Sequence, residues 1–278
     1  ATLLRDRQLA DTFASYNPEK SAMYLSAGAY YNGFMTLAAP PDGGAKFLLA
    51  PVLDGGDGGF EQLYGFFPSV ARNGNGTAIM LYQAPYPELD GGADARAYDA
   101  VIWRGVEEST GRTTPPVPVV FGEQPFVLPN LLGLYFMRDA TFRRATLGDF
   151  YLPTGEIAVE VTARSGSAIL SPSHPLVTAD ETTLYFAALD VQTANAHIWV
   201  ASRTSAHAAT IDGGVITFGD AHPLEFSDSD LQRPEVPTWL SADGTELVFV
   251  RSGLRPAGEA DAEAGAILQA AIYAIHLE

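Results

Sequence analysis

The stretch Ser171–Arg203, SPSHPLVTADETTLYFAALDVQTANAHIWVASR, decides the fold reading. It opens on a polar, proline-marked lead-in, Ser173-His174-Pro175, and turns at Ala179-Asp180. An apolar strand follows at Thr183–Ala187, then a loop, then a second strand at His197–Ser202. That order is most of a four-stranded antiparallel meander. Its recurrence elsewhere in the chain would make the protein a propeller.

Four other places read like the core strand Thr183-Leu184-Tyr185-Phe186: Ala22–Leu25, Ala78–Leu81, Gly133–Phe136 and Glu246–Phe249. Their last residues are 56, 55, 50 and 63 residues apart. A four-stranded blade takes about 40 to 50 residues, so the loops carry insertions. Turn signals precede most copies: Asn17-Pro18, Asn73-Gly74-Asn75-Gly76, Ala179-Asp180 and Ala242-Asp243-Gly244. Asn-Gly and Asp-Gly supply the positive φ that tight hairpins need. Lead-ins stand before the turns at Phe67-Pro68-Ser69, Gln124-Pro125, Ser173-His174-Pro175 and Arg233-Pro234-Glu235. Second strands are placed at 34–38, 100–104, 141–147, 198–202 and 271–275. One apolar run alone proves nothing; five with matching turns favour a propeller over an antiparallel sandwich, the competing reading.

The pattern resembles the TolB-like, WD-type β-propeller repeat. The likeness rests on His174–Asp180 with Leu184-Tyr185-Phe186 and His197–Val200, and on Pro237–Gly244 with Leu247-Val248-Phe249 and Ala271–Ala274. It covers the C-terminal part of the chain and fades in the first three copies. It implies a bacterial envelope protein: periplasmic, secreted or lipoprotein-anchored, with any signal removed before Ala1. Such a repeat specifies a scaffold rather than an activity.

Composition sets bounds. The chain has 278 residues, 47% hydrophobic and 11% aromatic, enough for one sizeable core. No apolar run is long enough for a membrane-spanning helix. Without cysteine there are no disulfides, thiolate chemistry or cysteine-ligated zinc. Thirty-three acidic against 16 basic residues give a net charge of −17, which argues against a nucleic-acid partner. The run Asp54–Gly59 lacks the alternating aspartates and closing glutamate of a calcium loop. No cofactor is expected, calcium being the one ion the acidity would suit.

The expected fold is all-β, a single five-bladed propeller over residues 1–278. Its blades fall near 14–58, 59–120, 121–168, 169–226 and 227–278. The last is completed by residues 1–10, with Thr2–Leu9 as its outer strand. Prolines 115, 116 and 118 make Arg112–Val120 an edge or connector, and Gly155–Arg164 alternates as an outer strand should. The dense basic cluster Arg138, Arg143 and Arg144 either neutralises carboxylates or binds an anion.

A propeller gathers its lead-ins around a central channel. The channel candidates are therefore Asp11, Glu61, Glu123, Gln124, His174, Arg233 and Glu235, each of which could equally tie neighbouring blades. No Gly-x-Ser-x-Gly elbow, His-Glu-x-x-His spacing or phosphate loop is present. No catalytic residue and no metal ligand is assigned. The favoured function is a non-enzymatic, monomeric binding module, with an envelope protein or an extracellular glycan as partner. The alternative is a five-bladed glycoside hydrolase or lyase, which needs two carboxylates facing each other across the channel. A third reading is a purely structural repeat domain.

Overall fold

The structure is a computed structural model and describes residues 2–7, 13–16, 22–26, 34–38, 48–51, 66–86, 98–107, 112–115, 117–191, 194–205, 214–226, 233–254 and 268–277. In chain order, β1 (Thr2–Arg7) precedes a first sheet of β2 (Phe13–Tyr16), β3 (Ala22–Ser26), β4 (Phe34–Ala38) and β5 (Leu48–Pro51). The second sheet holds β6 (Phe66–Arg72), β7 (Ala78–Tyr86), β8 (Tyr98–Glu107), a short β9 (Arg112–Thr113) and β10 (Val117–Phe121). The third is β11 (Glu123–Val127), β12 (Gly133–Arg138), β13 (Thr141–Leu147) and β14 (Pro153–Ala163). The fourth is β15 (Leu170–Val177), β16 (Thr183–Leu189), β17 (Ala196–Arg203) and β18 (Val215–Pro223). The fifth is β19 (Glu235–Leu240), β20 (Glu246–Leu254) and β21 (Leu268–His276), completed by β1 in antiparallel pairing with β21. This is a five-bladed β-propeller closed by its N-terminal strand.

The pairing explains why the second strand of each blade was visible in the sequence. A blade is covered on both faces by its neighbours, so its middle strands need no polar face. Gly133–Met137 in β12 and Leu184–Ala188 in β16 are buried throughout. The outer strand β14 has water on one side and alternates, burying Ile157 and Val159 while Glu156 and Glu160 stay out. The wedge between the third and fourth blades is filled by Phe142, Phe186, Trp199 and Phe218, with Phe142 edge-on to Phe186 at 5.6 Å. Beyond the propeller norm, β14 and β18 pair in parallel, joining these two blades into one eight-stranded sheet.

Two turns share one design. Asp180 Oδ1 accepts from the Thr182 N–H at 3.1 Å and the Thr178 hydroxyl at 2.7 Å. Asp243 Oδ1 accepts from the Thr245 N–H at 3.1 Å and the Ser241 hydroxyl at 2.5 Å. The fourth residue of each turn has positive φ: Gly244 at 72°, where no Cβ resists it, and Glu181 at 57°. An L residue there needs a reason, and Glu181 has one. Its carboxylate crosses to the third blade, accepting from Arg144 Nε at 2.7 Å, Arg144 Nη2 at 2.9 Å and the Tyr135 hydroxyl at 2.5 Å. Burial by itself would raise the Glu181 pKa; the hydrogen bonds from Arg144 and Tyr135 outweigh it and hold the pKa below the usual carboxylate range. Burial first, and then the Glu181 charge, push the Tyr135 phenol up. The basic cluster is thus occupied by carboxylates, since Arg138 also grips both oxygens of Glu156 at 2.8 and 2.9 Å.

Candidate functional site: the bulged inner strands

The proline-marked lead-ins are themselves the innermost strands. β6, β11, β15 and β19 each lose register: between Phe66 and Ser69, Glu123 and Phe126, Ser173 and Leu176, and Pro237 and Trp239, with a second shift in β15 between Leu170 and Ser173. In the first three the extra residues are Phe67-Pro68, Gln124-Pro125 and His174-Pro175. A bulge leaves its residues out of the ladder, so a proline there forfeits no hydrogen bond. The residue before each proline has left-handed φ: 52° at Phe67, 53° at Gln124 and 54° at His174. That conformation is costly for these residue types, and its threefold repetition marks a feature the ring requires.

The four bulges border a half-open pocket lined by Phe67, Gln124, His174 and Pro237 among others. The ring is laced from blade to blade. Gln83 Oε1 accepts from the Gln124 N–H at 3.1 Å, and Gln124 Oε1 accepts from the His174 N–H at 2.8 Å. The Ser69 hydroxyl oxygen accepts from the Val127 N–H at 2.9 Å. Phe67 meets the His174 ring edge-on with centroids 5.0 Å apart. His174 Nδ1 lies 3.0 Å from Ser173 Oγ, and burial pushes its pKa down to about 3, so the imidazole is neutral at physiological pH.

The sequence candidates separate. Gln124 and His174 meet on the axis. Glu123 opens β11 immediately before the bulge and is half-buried. Glu235 is 1% exposed, and its Oε1 accepts from Arg251 Nε at 2.9 Å and Nη2 at 2.6 Å. Arg251 in turn stacks over Tyr273 at 4.6 Å and Phe249 at 5.5 Å. The Glu235 charge is therefore already compensated. Arg233 is exposed ahead of β19. Asp11 and Glu61 lie outside the described residues. The residue reading passed over Phe67, Gln83 and Arg251, although the X-Pro repeat at 67, 124 and 174 carried the signal for the first. Among the described residues, no group of three or more His, Asp or Glu could hold a metal, and no helix is long and apolar enough to cross a membrane.

A ring of bulged inner strands closed by the N-terminus defines a five-bladed β-propeller. No family model matches the chain, and no curated protein does. Solved structures do. A GH43 protein, BlXynB, from Bacillus licheniformis aligns over 98% of this chain at 12% identity and a TM-score of 0.56. The chain spans 53% of that protein's length. A GH43_1 enzyme from Xanthomonas citri aligns over 98% of this chain and 89% of its own, at 13% identity and a TM-score of 0.55. A thermostable family-43 glycoside hydrolase covers 96% of this chain and 89% of its own, at 12% identity and 0.51. At such identities the likeness establishes the fold alone. It also corrects the resemblance to the TolB-like, WD-type repeat. An aspartate turn followed by a wholly apolar strand is what any blade covered on both faces requires, so those residues carried the architecture and not the family.

Proposed function

We propose that the protein is a propeller glycoside hydrolase working at the mouth of this ring. The observation that carries the reading is the placement of Glu123 at the bulge of β11, on a fold whose full-length neighbours are family-43 glycoside hydrolases. Glycosidic cleavage needs two carboxyl groups flanking the bond, about 5–5.5 Å apart for retention and about 6.5–9.5 Å for inversion. Glu235 is unsuited as the partner because Arg251 holds it. Asp11 is the better choice on sequence offset. It stands two residues before Phe13, the first paired residue of β2, just as Gln124 stands two before Phe126 and His174 two before Leu176. One acid would protonate the leaving oxygen while the other attacks or activates water. A glycan is the substrate class this reading implies.

The test is turnover of xylan, arabinan and galactan oligosaccharides by the whole chain, with Glu123→Gln and Asp11→Asn as variants. Each variant should lower kcat by at least 100-fold while oligosaccharide binding persists. Full activity of Glu123→Gln would sink the assignment. A second reading, glycan binding without cleavage, is favoured by one observation: the axial residues Gln124 and His174 are uncharged and tied to each other. Binding by the wild type with no turnover would select it.

A further inference from the structure

We infer that the Gln124 carboxamide is the donor that seats one edge of an uncharged sugar in the pocket of the bulged strands. The inference rests on the glycan reading above and holds with or without cleavage. The pocket is walled by Pro68, Pro125, Pro175 and Pro237, one from each of the second to fifth blades, with Leu176, Gln124 and His174 among them. Proline and leucine present C–H surface, which suits the apolar face of a sugar ring. Among the described residues the lining holds no charged side chain, and the His174 imidazole is neutral. An acidic sugar would give up its water there without meeting a cation, on a chain that already carries a net charge of −17.

Gln124 is held at both ends. Its backbone sits at φ 53°, and its N–H donates to Gln83 Oε1 at 3.1 Å. At the tip, Oε1 accepts from the His174 N–H at 2.8 Å. A backbone N–H can only donate, so the carboxamide must turn its oxygen toward it and its two donor hydrogens away. Among the described residues no acceptor takes those hydrogens, and Nε2 is not one of the buried side-chain atoms left unpaired. The nitrogen is therefore open to solvent, on a side chain that lines the pocket. The lacing of the ring uses only the oxygen, which a glutamate would supply equally well. What glutamine adds is an N–H donor of fixed orientation. Such a donor needs no ordering when a ligand arrives and keeps more of its free energy for binding.

The test is calorimetric titration of xylohexaose, arabinohexaose, a galactan hexamer and an oligogalacturonate into the full chain, as wild type and as Gln124→Glu. The variant keeps an oxygen for His174 and puts an acceptor where the donor stood. It should bind the preferred neutral oligosaccharide about fivefold or more weakly, the size of one net hydrogen bond, with an unchanged melting temperature and slow amide exchange at His174. A second measurement reads the wild type directly: the side-chain amide protons of Gln124 should shift in the NMR spectrum as that oligosaccharide is added. If Gln124→Glu binds as tightly as the wild type, the donor is wrong while the glycan reading stands. If Gln124→Glu melts lower, the wild-type amide signals decide, and signals that do not move at saturation overturn the inference. Oligogalacturonate binding as tight as that of the neutral hexamers would overturn the uncharged site. If the wild type binds no oligosaccharide, the glycan reading fails and the inference with it.

Discussion

Replacing Glu181 by alanine should destabilise the ring by about 3–5 kcal/mol, the usual cost of removing one partner from a buried ion pair. The pair is buried enough for that range: the Arg144 side chain is 14% exposed, Glu181 17% and Arg203, 3.9 Å away, 7%. The variant strands the Arg144 guanidinium and takes the acceptor from the wholly buried Tyr135 hydroxyl. It also leaves alanine in the left-handed turn position with nothing to hold it there. At about 2 °C per kcal/mol for a chain of this size, the melting temperature should fall by about 6–10 °C. Circular dichroism against temperature and urea measures it, and a cycle with Arg144→Leu should show the two losses to be far from additive. Acid gives a second signature. The folded pKa of Glu181 lies below its ordinary 4.5, so its stabilisation is complete above that value and is lost as pH falls through the lowered pKa. Wild type and Glu181→Ala should therefore converge in stability at low pH. A melting temperature within 1 °C of wild type at neutral pH would refute the argument, because no exposed, screened pair behaves as this one is argued to.

Removing residues 1–7 should cost about 2–5 kcal/mol, the sum of several net ladder hydrogen bonds, and bare the β21 edge to association; unchanged melting and a monomer at high concentration would contradict closure by β1. Gln124→Leu leaves the His174 N–H without its acceptor and should cost about 1–3 kcal/mol. Amide exchange at His174 should speed up in that variant and stay slow in Gln124→Glu, which keeps an oxygen at the same place. Equal exchange in all three proteins would remove Gln124 from the lacing of the ring.

The sequence reading succeeded where burial on both faces writes itself as an unbroken apolar run. The strand expected at 141–147 is β13, Thr141–Leu147, residue for residue. Thr2–Leu9 as the closing strand agrees with β1 at Thr2–Arg7, because an open ring must pair its ends. It failed at the inner strands for an identifiable reason. Proline argues against a strand interior, and the rule that rescues it, the bulge, depends on a partner strand that no local pattern reveals. Glu235 shows the same limit in electrostatics. Its partner Arg251 is 16 residues away and across a hairpin, so the sequence displayed a carboxylate and hid its neutralisation. The parallel pairing of β14 with β18 joins residues more than 50 apart and leaves no periodic trace.

The repeated bulge also explains why architecture and activity come apart in this chain. Three of the inner strands take a bulge residue in left-handed conformation; they do not take a particular side chain there. Phe67, Gln124 and His174 satisfy one backbone requirement with three unrelated chemistries. Function must then be sought in what the shared geometry leaves unequal. Glu123 and Glu235 are the same residue type at the start of the inner strands of the third and fifth blades, yet Glu235 is 1% exposed and clamped by a stacked arginine. A carboxylate already neutralised at close range has little charge left to lend a developing oxocarbenium ion. Glu123 is half-buried at the head of β11, opposite Met137 of β12. The inner-strand glutamate of the fifth blade is thus spent on the fold, and acid–base chemistry at the ring would have to be carried by another carboxylate.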